Sequence, residues 1–305
     1  MTIGTISTTG PARPISMLKR ILGPTNFRVR LLVGIMLAGL CVFQCTNDSA
    51  SSIVPGPRPG VAVAKPLVAT RDTDDLERLA RTDHIALLQQ CLDNYHGKYA
   101  DYTCTFTKQE RIGGVLGKEQ EIRVRFRGSP FSAAMTWVTN PPMGDRVLYV
   151  AGRNNNEMQV RPASLLLQIL VPRGVSRKPD GVEAMKVTLR AVNLFGFECA
   201  MKSLLEVYRA AKSNGDLQEE FGGYCTLDGQ DTMVLVRYLT AWRKDYPAHK
   251  TLIYINLKRM VPVMIEGYDW GAGDFLCRYT YSDVKFNVGL TEADFTPESI
   301  GLKSN

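Results

Sequence analysis

The sequence has little histidine and none of the common catalytic signatures. His84, His96 and His249 are the only histidines in 305 residues. His84 and His96 do not stand at the i, i+4 spacing of a helical ligand pair. H-E-x-x-H, G-x-S-x-G, the P-loop and G-x-G-x-x-G are all absent, so the sequence offers no motif for zinc peptidase, esterase, nucleotide or dinucleotide chemistry. Ser16–Lys19 fits S-x-x-K, but only by chance in a leader-like segment. No C-x-x-C pair occurs, which removes the usual zinc and thioredoxin-like spacings. No apolar run reaches the roughly 17–25 residues of a bilayer-spanning helix. No cofactor and no metal ion is expected.

What is present begins with charge. The chain carries 37 Lys and Arg against 30 Asp and Glu, a net +7. Residues 1–50 hold five of the basic side chains and one acidic one, leaving 32 and 29 for the rest. The excess is therefore concentrated ahead of Leu31–Phe43, an apolar run of 13 residues. Positive charge followed by about 7–15 apolar residues is the pattern of an export signal. Residues 1–46 are read as a signal peptide or N-terminal anchor, placing the protein in the periplasm or cell envelope. Cys41 resembles a lipidation site displaced by one residue, since Leu40 stands where a small residue belongs. Lipidation, cleavage near Ser49–Ser51 and retention all stay open. Residues 47–73, rich in Ser, Pro, Gly and Ala, read as a disordered tether. Residues 74–305 are the folded domain. Its five cysteines are an odd number, so at least one must stay free or pair between chains. Export allows one or two disulfides, and buried, inert thiols are the plainer reading.

Periodicity predicts a helix in which Ile85, Leu88, Cys91, Leu92 and Tyr95 share a face, with Asp83 as cap and Gly97 as stop. Alternating strands follow around Tyr102–Thr107, Ile122–Arg127, Phe131–Trp137, Val147–Val150 and Met158–Val160. Leu165–Val171 is a short apolar run of undetermined type, followed by a basic loop carrying Arg173, Arg177 and Lys178. A second helix is expected with Phe197, Met201, Leu204, Leu205 and Tyr208 on one face and Gly215 beyond its end. Strands return at 217–227, 232–240, 250–258, 261–270 and 275–286, with Asp228-Gly229 as a hairpin turn. Short connections imply antiparallel pairing. The expected class is α+β, a curved antiparallel sheet wrapped over helices.

Two features invite a functional reading. Arg123, Arg125 and Arg127 share one strand face and suggest either a solvated surface or a rim for an anionic head group. The apolar residues Phe106, Phe126, Met135, Trp137, Ile255, Met264, Tyr268 and Tyr279 are the candidate lining of a pocket, or simply core; a slip of one residue would invert any strand. Among the carboxylates, Glu110 and Glu266 are candidates for hydrolysis, though no spacing singles out a pair.

The run Tyr102–Glu110, the block Val124–Arg127 with Pro130, Phe131, Met135 and Trp137, Leu148–Val150 with Gly152, and Tyr279–Val284 with Asn287, Leu290 and Phe295 together resemble a bacterial family of unknown function, DUF1571. That family is in turn similar to the LolA/LolB-like lipoprotein carriers. The resemblance implies an incomplete antiparallel β-barrel closed by helices around an apolar cavity. No functional residue is carried over, because nothing here aligns with the binding arginine of LolA. The segment 157–196 departs most from the pattern. The first expectation is an exported, non-enzymatic binding protein for an apolar or amphiphilic ligand, a lipid or a lipoprotein acyl chain, with peripheral or anchored membrane association and no nucleic acid. A structural or interaction protein of the envelope with a filled core is the alternative, and a hydrolase is the third.

Overall fold

The computed structural model describes residues 71–303. The expected export signal or anchor (1–46) and the expected tether (47–73) up to residue 70 lie outside them. Helix α1 (Arg71–Thr82) is followed by α2 (His84–Tyr95). Strands β1 (Asp101–Ile112), β2 (Val115–Leu116), β3 (Gln120–Arg127), β4 (Ser132–Thr139), β5 (Gly144–Val150) and β6 (Met158–Pro162) come next. Short elements fill the middle: α3 (Leu165–Leu170), β7 (Val175–Arg177) and α4 (Val182–Met185). Helix α5 (Phe197–Asn214) leads into β8 (Leu217–Leu227), β9 (Gln230–Leu239), β10 (Lys250–Asn256), β11 (Val261–Tyr268) and β12 (Phe275–Phe286).

The strands form one antiparallel sheet in the order β7-β6-β5-β4-β3-β1-β12-β11-β10-β9-β8, with β2 as a flap on β1. Two meanders, β3 to β7 and β8 to β12, are joined through β1, which pairs with both β3 and β12. This is the expected α+β arrangement, a curved open sheet wrapped over helices. Asp228 and Gly229 both adopt positive φ (50° and 69°) between β8 and β9, the backbone of a two-residue hairpin turn that suits the twist of its strands.

The helices form where local signals agree. Asp83 accepts a bond from the Ala86 amide at 3.0 Å and caps α2. Phe197, Met201, Leu204, Leu205 and Tyr208 recur at helical spacing and give α5 one fully buried face. Gly215, at φ 74°, ends it in the left-handed conformation that a side chain would oppose. Helix α1 escaped the sequence reading because only Leu76, Leu79 and Ala80 are apolar in its described turns; Arg81 pairs with Glu77 at 2.8 Å, and Glu77 also accepts from Tyr224. The five cysteines of the described residues are all free. Burial pushes the Cys91 thiol up to about 12 and keeps it inert.

The C-terminal segment crosses the face of β3–β5 that points away from the helices. Phe295, Ile300 and Leu302 pack there on Ala134, Leu148 and Val150. The three-arginine stripe lies on this same face. Arg125 donates to the Ser299 carbonyl at 3.0 Å, and the Arg127 guanidinium sits 5.2 Å from the Phe295 ring. The stripe is thus a clamp for the chain end and does not edge an apolar pocket. Only Arg123 is left exposed.

His84 joins three helices. Its Nε2–H donates to the Ala80 carbonyl at 2.8 Å, so its Nδ1 accepts from the Tyr208 hydroxyl at 3.0 Å. Burial is the main cause that holds its pKa down to about 4 from the ordinary 6.5; Arg237 reinforces this, and the Ala80 bond and Asp83 oppose it. The unfolded chain binds a proton that the folded chain refuses between those values, so stability falls as pH drops from 6.5 towards 4. His84→Gln is expected to flatten that part of the curve by about 3 kcal/mol, read as urea midpoints compared with wild type. Phe295→Ala is expected to cost about 3–5 kcal/mol in the same assay, because its ring is fully enclosed.

Candidate functional site

Antiparallel register lines up side chains across the sheet. Met135 of β4 stands opposite Val147 of β5, which stands opposite Val160 of β6, which stands opposite Val175 of β7. In the neighbouring row, Phe106 of β1 faces Ile122 of β3, which faces Trp137 of β4. These rows form an apolar wall. Helices α1, α2 and α5 pack against the other half of the sheet, at β8 and β11. The wall is left to the irregular segment 179–195, and between them is a cavity of about 670 Å³. Met143, Leu167 and Leu194 belong to the lining and are about half exposed (52, 48 and 50%), so the cavity reaches solvent.

One polar cluster ties segment 179–195 to the sheet. Glu110 of β1 pairs with Lys108 at 2.8 Å, and both side chains are almost wholly buried. Glu110 accepts from the Tyr279 hydroxyl at 2.7 Å and from the Leu189 amide N–H at 3.2 Å, while Lys108 also donates to Thr188 at 3.0 Å. Burial chiefly, with Cys277 and Glu110 beside it, keeps the Tyr279 phenol protonated. Deeper in the wall, Arg237 of β9 is 1% exposed and has one hydrogen bond, from Nη2 to the Thr251 hydroxyl at 2.8 Å. Arg190 of segment 179–195 also contributes to the lining.

Of the eight expected lining residues, the structure brings Phe106, Met135, Trp137 and Tyr279 to the cavity. Trp137 donates its indole N–H to Gln120 at 2.8 Å and leaves its ring to the wall. Phe126 and Ile255 belong to the filled core; Phe126 packs on Tyr102, Phe131 and Phe195. Met264 and Tyr268 are on the opposite face of β11. Val261, Val263, Ile265 and Gly267 take the inward positions there, and the bulkier neighbours point out. Arg123, Arg125 and Arg127 are on the outer face of β3, apart from this cavity. Glu266 shares the outer face of β11, bonded to Arg278 at 2.6 Å, so Glu110 and Glu266 do not converge as a hydrolytic pair. Sequence reasoning missed Arg237. Its one signal is a charged residue at the parity of Met233 and Leu235, in an otherwise apolar strand.

Helix α3 is the other unexpected feature. Leu165 and Ile169 are each 76% exposed, and Leu166 and Leu170 are exposed beside them, while Leu167 turns to the cavity. Among the described residues no helix is long and apolar enough to cross a membrane, and no cluster of metal-ligating side chains occurs.

The buried ion pair makes a direct prediction. Glu110→Leu strands the Lys108 ammonium and should destabilise by about 3–5 kcal/mol, whereas Lys108→Met combined with Glu110→Leu should recover much of that loss. Urea unfolding of the two single variants and the double variant measures the coupling.

The chain is similar to a solved LolA superfamily protein from Nitrosomonas europaea, at 13% identity and a TM-score of 0.32, over 70% of this chain and 97% of that one. It is similar to the lipoprotein LppX of Mycobacterium tuberculosis, at 14% identity and a TM-score of 0.41, over 68% and 96%. It is also similar to the MucA/MucB complex of Pseudomonas aeruginosa, at 10% identity and a TM-score of 0.42, over 70% of this chain and 61% of that one. No curated protein matches the sequence. The model of the family described as protein of unknown function, DUF1571, matches residues 99–300, and the chain belongs to that family.

Proposed function

We propose that the protein is an exported, non-enzymatic binding protein that holds an apolar or amphiphilic ligand, a lipid or acyl chain, in this cavity. The observation that carries the reading is the wall itself. Met135, Trp137, Val147 and Val160 come from three adjacent strands and present a continuous apolar surface to a space of about 670 Å³. That volume is within the range of about 300–1,000 Å³ typical of small-molecule sites. Burying chain methylenes would supply about 0.8 kcal/mol each. The titratable groups argue in the same direction. Glu110 is occupied by Lys108, Tyr279 and the backbone, which suits a fastener more than an acid or base. The basic run ahead of Leu31–Phe43 supports export to the cell envelope.

A second reading, an envelope interaction protein without a small ligand, is favoured by the exposed apolar face of α3. The two readings separate on ligand content. Protein purified from its own envelope should release a lipid on extraction and show its mass in native mass spectrometry. Delipidated protein should take up a fluorescent fatty acid, and Trp137→Arg should abolish that uptake while the fold persists by circular dichroism. Empty protein that also ignores the probe leaves only the second reading.

A further inference from the structure

Arg237 has no assigned partner for its charge. It stands near the C-terminal end of β9, between Val236 and Tyr238, with its side chain on the inner face. It is the largest of the fully buried side chains. Nη2 reaches Thr251, but Nε and Nη1 have no hydrogen-bond partner. No carboxylate among the described residues lies within 4 Å of it. Its guanidinium is 5.0 Å from the centre of the Tyr208 ring, a contact that eases an enclosed cation without neutralising it.

Such an arrangement is costly. A buried ion is ordinarily paired or fully hydrogen-bonded, and this one is neither. Burial pushes its pKa down, and the positive charge of Arg190 acts in the same direction. A guanidinium nevertheless stays protonated, so the cation remains and donors at Nε and Nη1 stand free. Arg237 is also part of the cavity wall, as are Thr251 and Arg190. Arg177 and Arg190 are the other arginines of the lining, and its remaining charged side chains are engaged. Lys108 holds Glu110, Glu183 holds Lys186, and Asp269 accepts from the Trp270 amide. β9 lies six strands from β4 in the sheet order, so the cationic end and the Met135–Trp137 wall are different parts of the lining.

We propose that Arg237 binds the acid head group of an amphiphilic ligand, a carboxylate or a phosphate monoester, whose chain lies along the apolar wall, with Arg190 adding a second positive charge. The proposal rests on the cavity being a ligand site, and it assigns the polarity of the ligand. Free N–H donors on a buried cation suit an anionic oxygen, and such bonds strengthen where water is excluded.

The test uses the delipidated full chain and isothermal titration with palmitic acid, methyl palmitate and lysophosphatidic acid. At least one acid should bind about tenfold or more tightly than the ester. Whichever acid binds better identifies the head group. Arg237→Met should remove most of that preference while leaving ester affinity within about twofold, and it should raise the thermal midpoint of the empty protein, because an unpaired charge leaves the interior. Arg190→Ala, an exposed position, should reduce the preference by a smaller factor. Equal binding of acids and ester by the wild type would overturn the head-group assignment and leave the cavity reading standing. A preference undiminished in folded Arg237→Met would overturn it as well. Binding of none of the three ligands would end both.

Discussion

The pairing of β1 with β12 is the constraint on which the rest of the structure depends. Every other neighbouring pair among β3 to β12 is a hairpin or short connection within one meander. β1 is the seam, with Tyr102 opposite Phe126 on one side and Phe286 on the other. Tyr102 stacks on Phe126 at 4.9 Å and meets Phe197 of α5 at 5.0 Å. One side chain therefore joins both meanders to the helix that fills the sheet. The contact spans nearly the whole domain in sequence, so its loop-closure entropy must be offset before either meander gains from it.

With the seam in place, the two halves of the sheet have different fates. The half built by β8 to β12 receives three helices whose apolar faces interdigitate with it and fill most of it, leaving Arg237, Thr251, Ile265 and Cys277 to line the cavity. The half built by β3 to β7 receives segment 179–195, held at its edge by polar bonds to Glu110. A segment fastened by hydrogen bonds at Thr188 and Leu189 does not fill the space beneath it as a packed helix does. A filled core and an apolar cavity thus coexist, the cavity running from beneath segment 179–195 to α5 and Arg237.

The outer face makes a comparable use of charge. Arg125 and Arg127 fasten the chain end over Ala134, Leu148 and Val150. Arg278 neutralises Glu266 among the phenols of Tyr254 and Tyr268. The conspicuous charges of β3 and β11 are therefore structural, while Arg237, without an anionic partner, sits inside.

Much of the fold was legible because its signals are local. Alternation located most of the strands, the spacing of Phe197 to Tyr208 located α5, and Asp228-Gly229 located a turn. The site was half legible. Phe106, Met135, Trp137 and Tyr279 were found because they are large and at the correct parity. Met264 and Tyr268 were misplaced because period-two alternation defines two faces without saying which is inward. Helix α1 carries too few apolar positions to announce itself, and the α-helix in segment 179–195 is a single turn, too short for a period to show. The sequence by itself determined the antiparallel α+β class, the elements and the residues that share each face. Only the tertiary structure decided which face is enclosed, which half of the sheet is filled, and that Arg237 is buried without an anion. Those outcomes depend on pairings and coverings between residues far apart in the chain, which no local periodicity encodes.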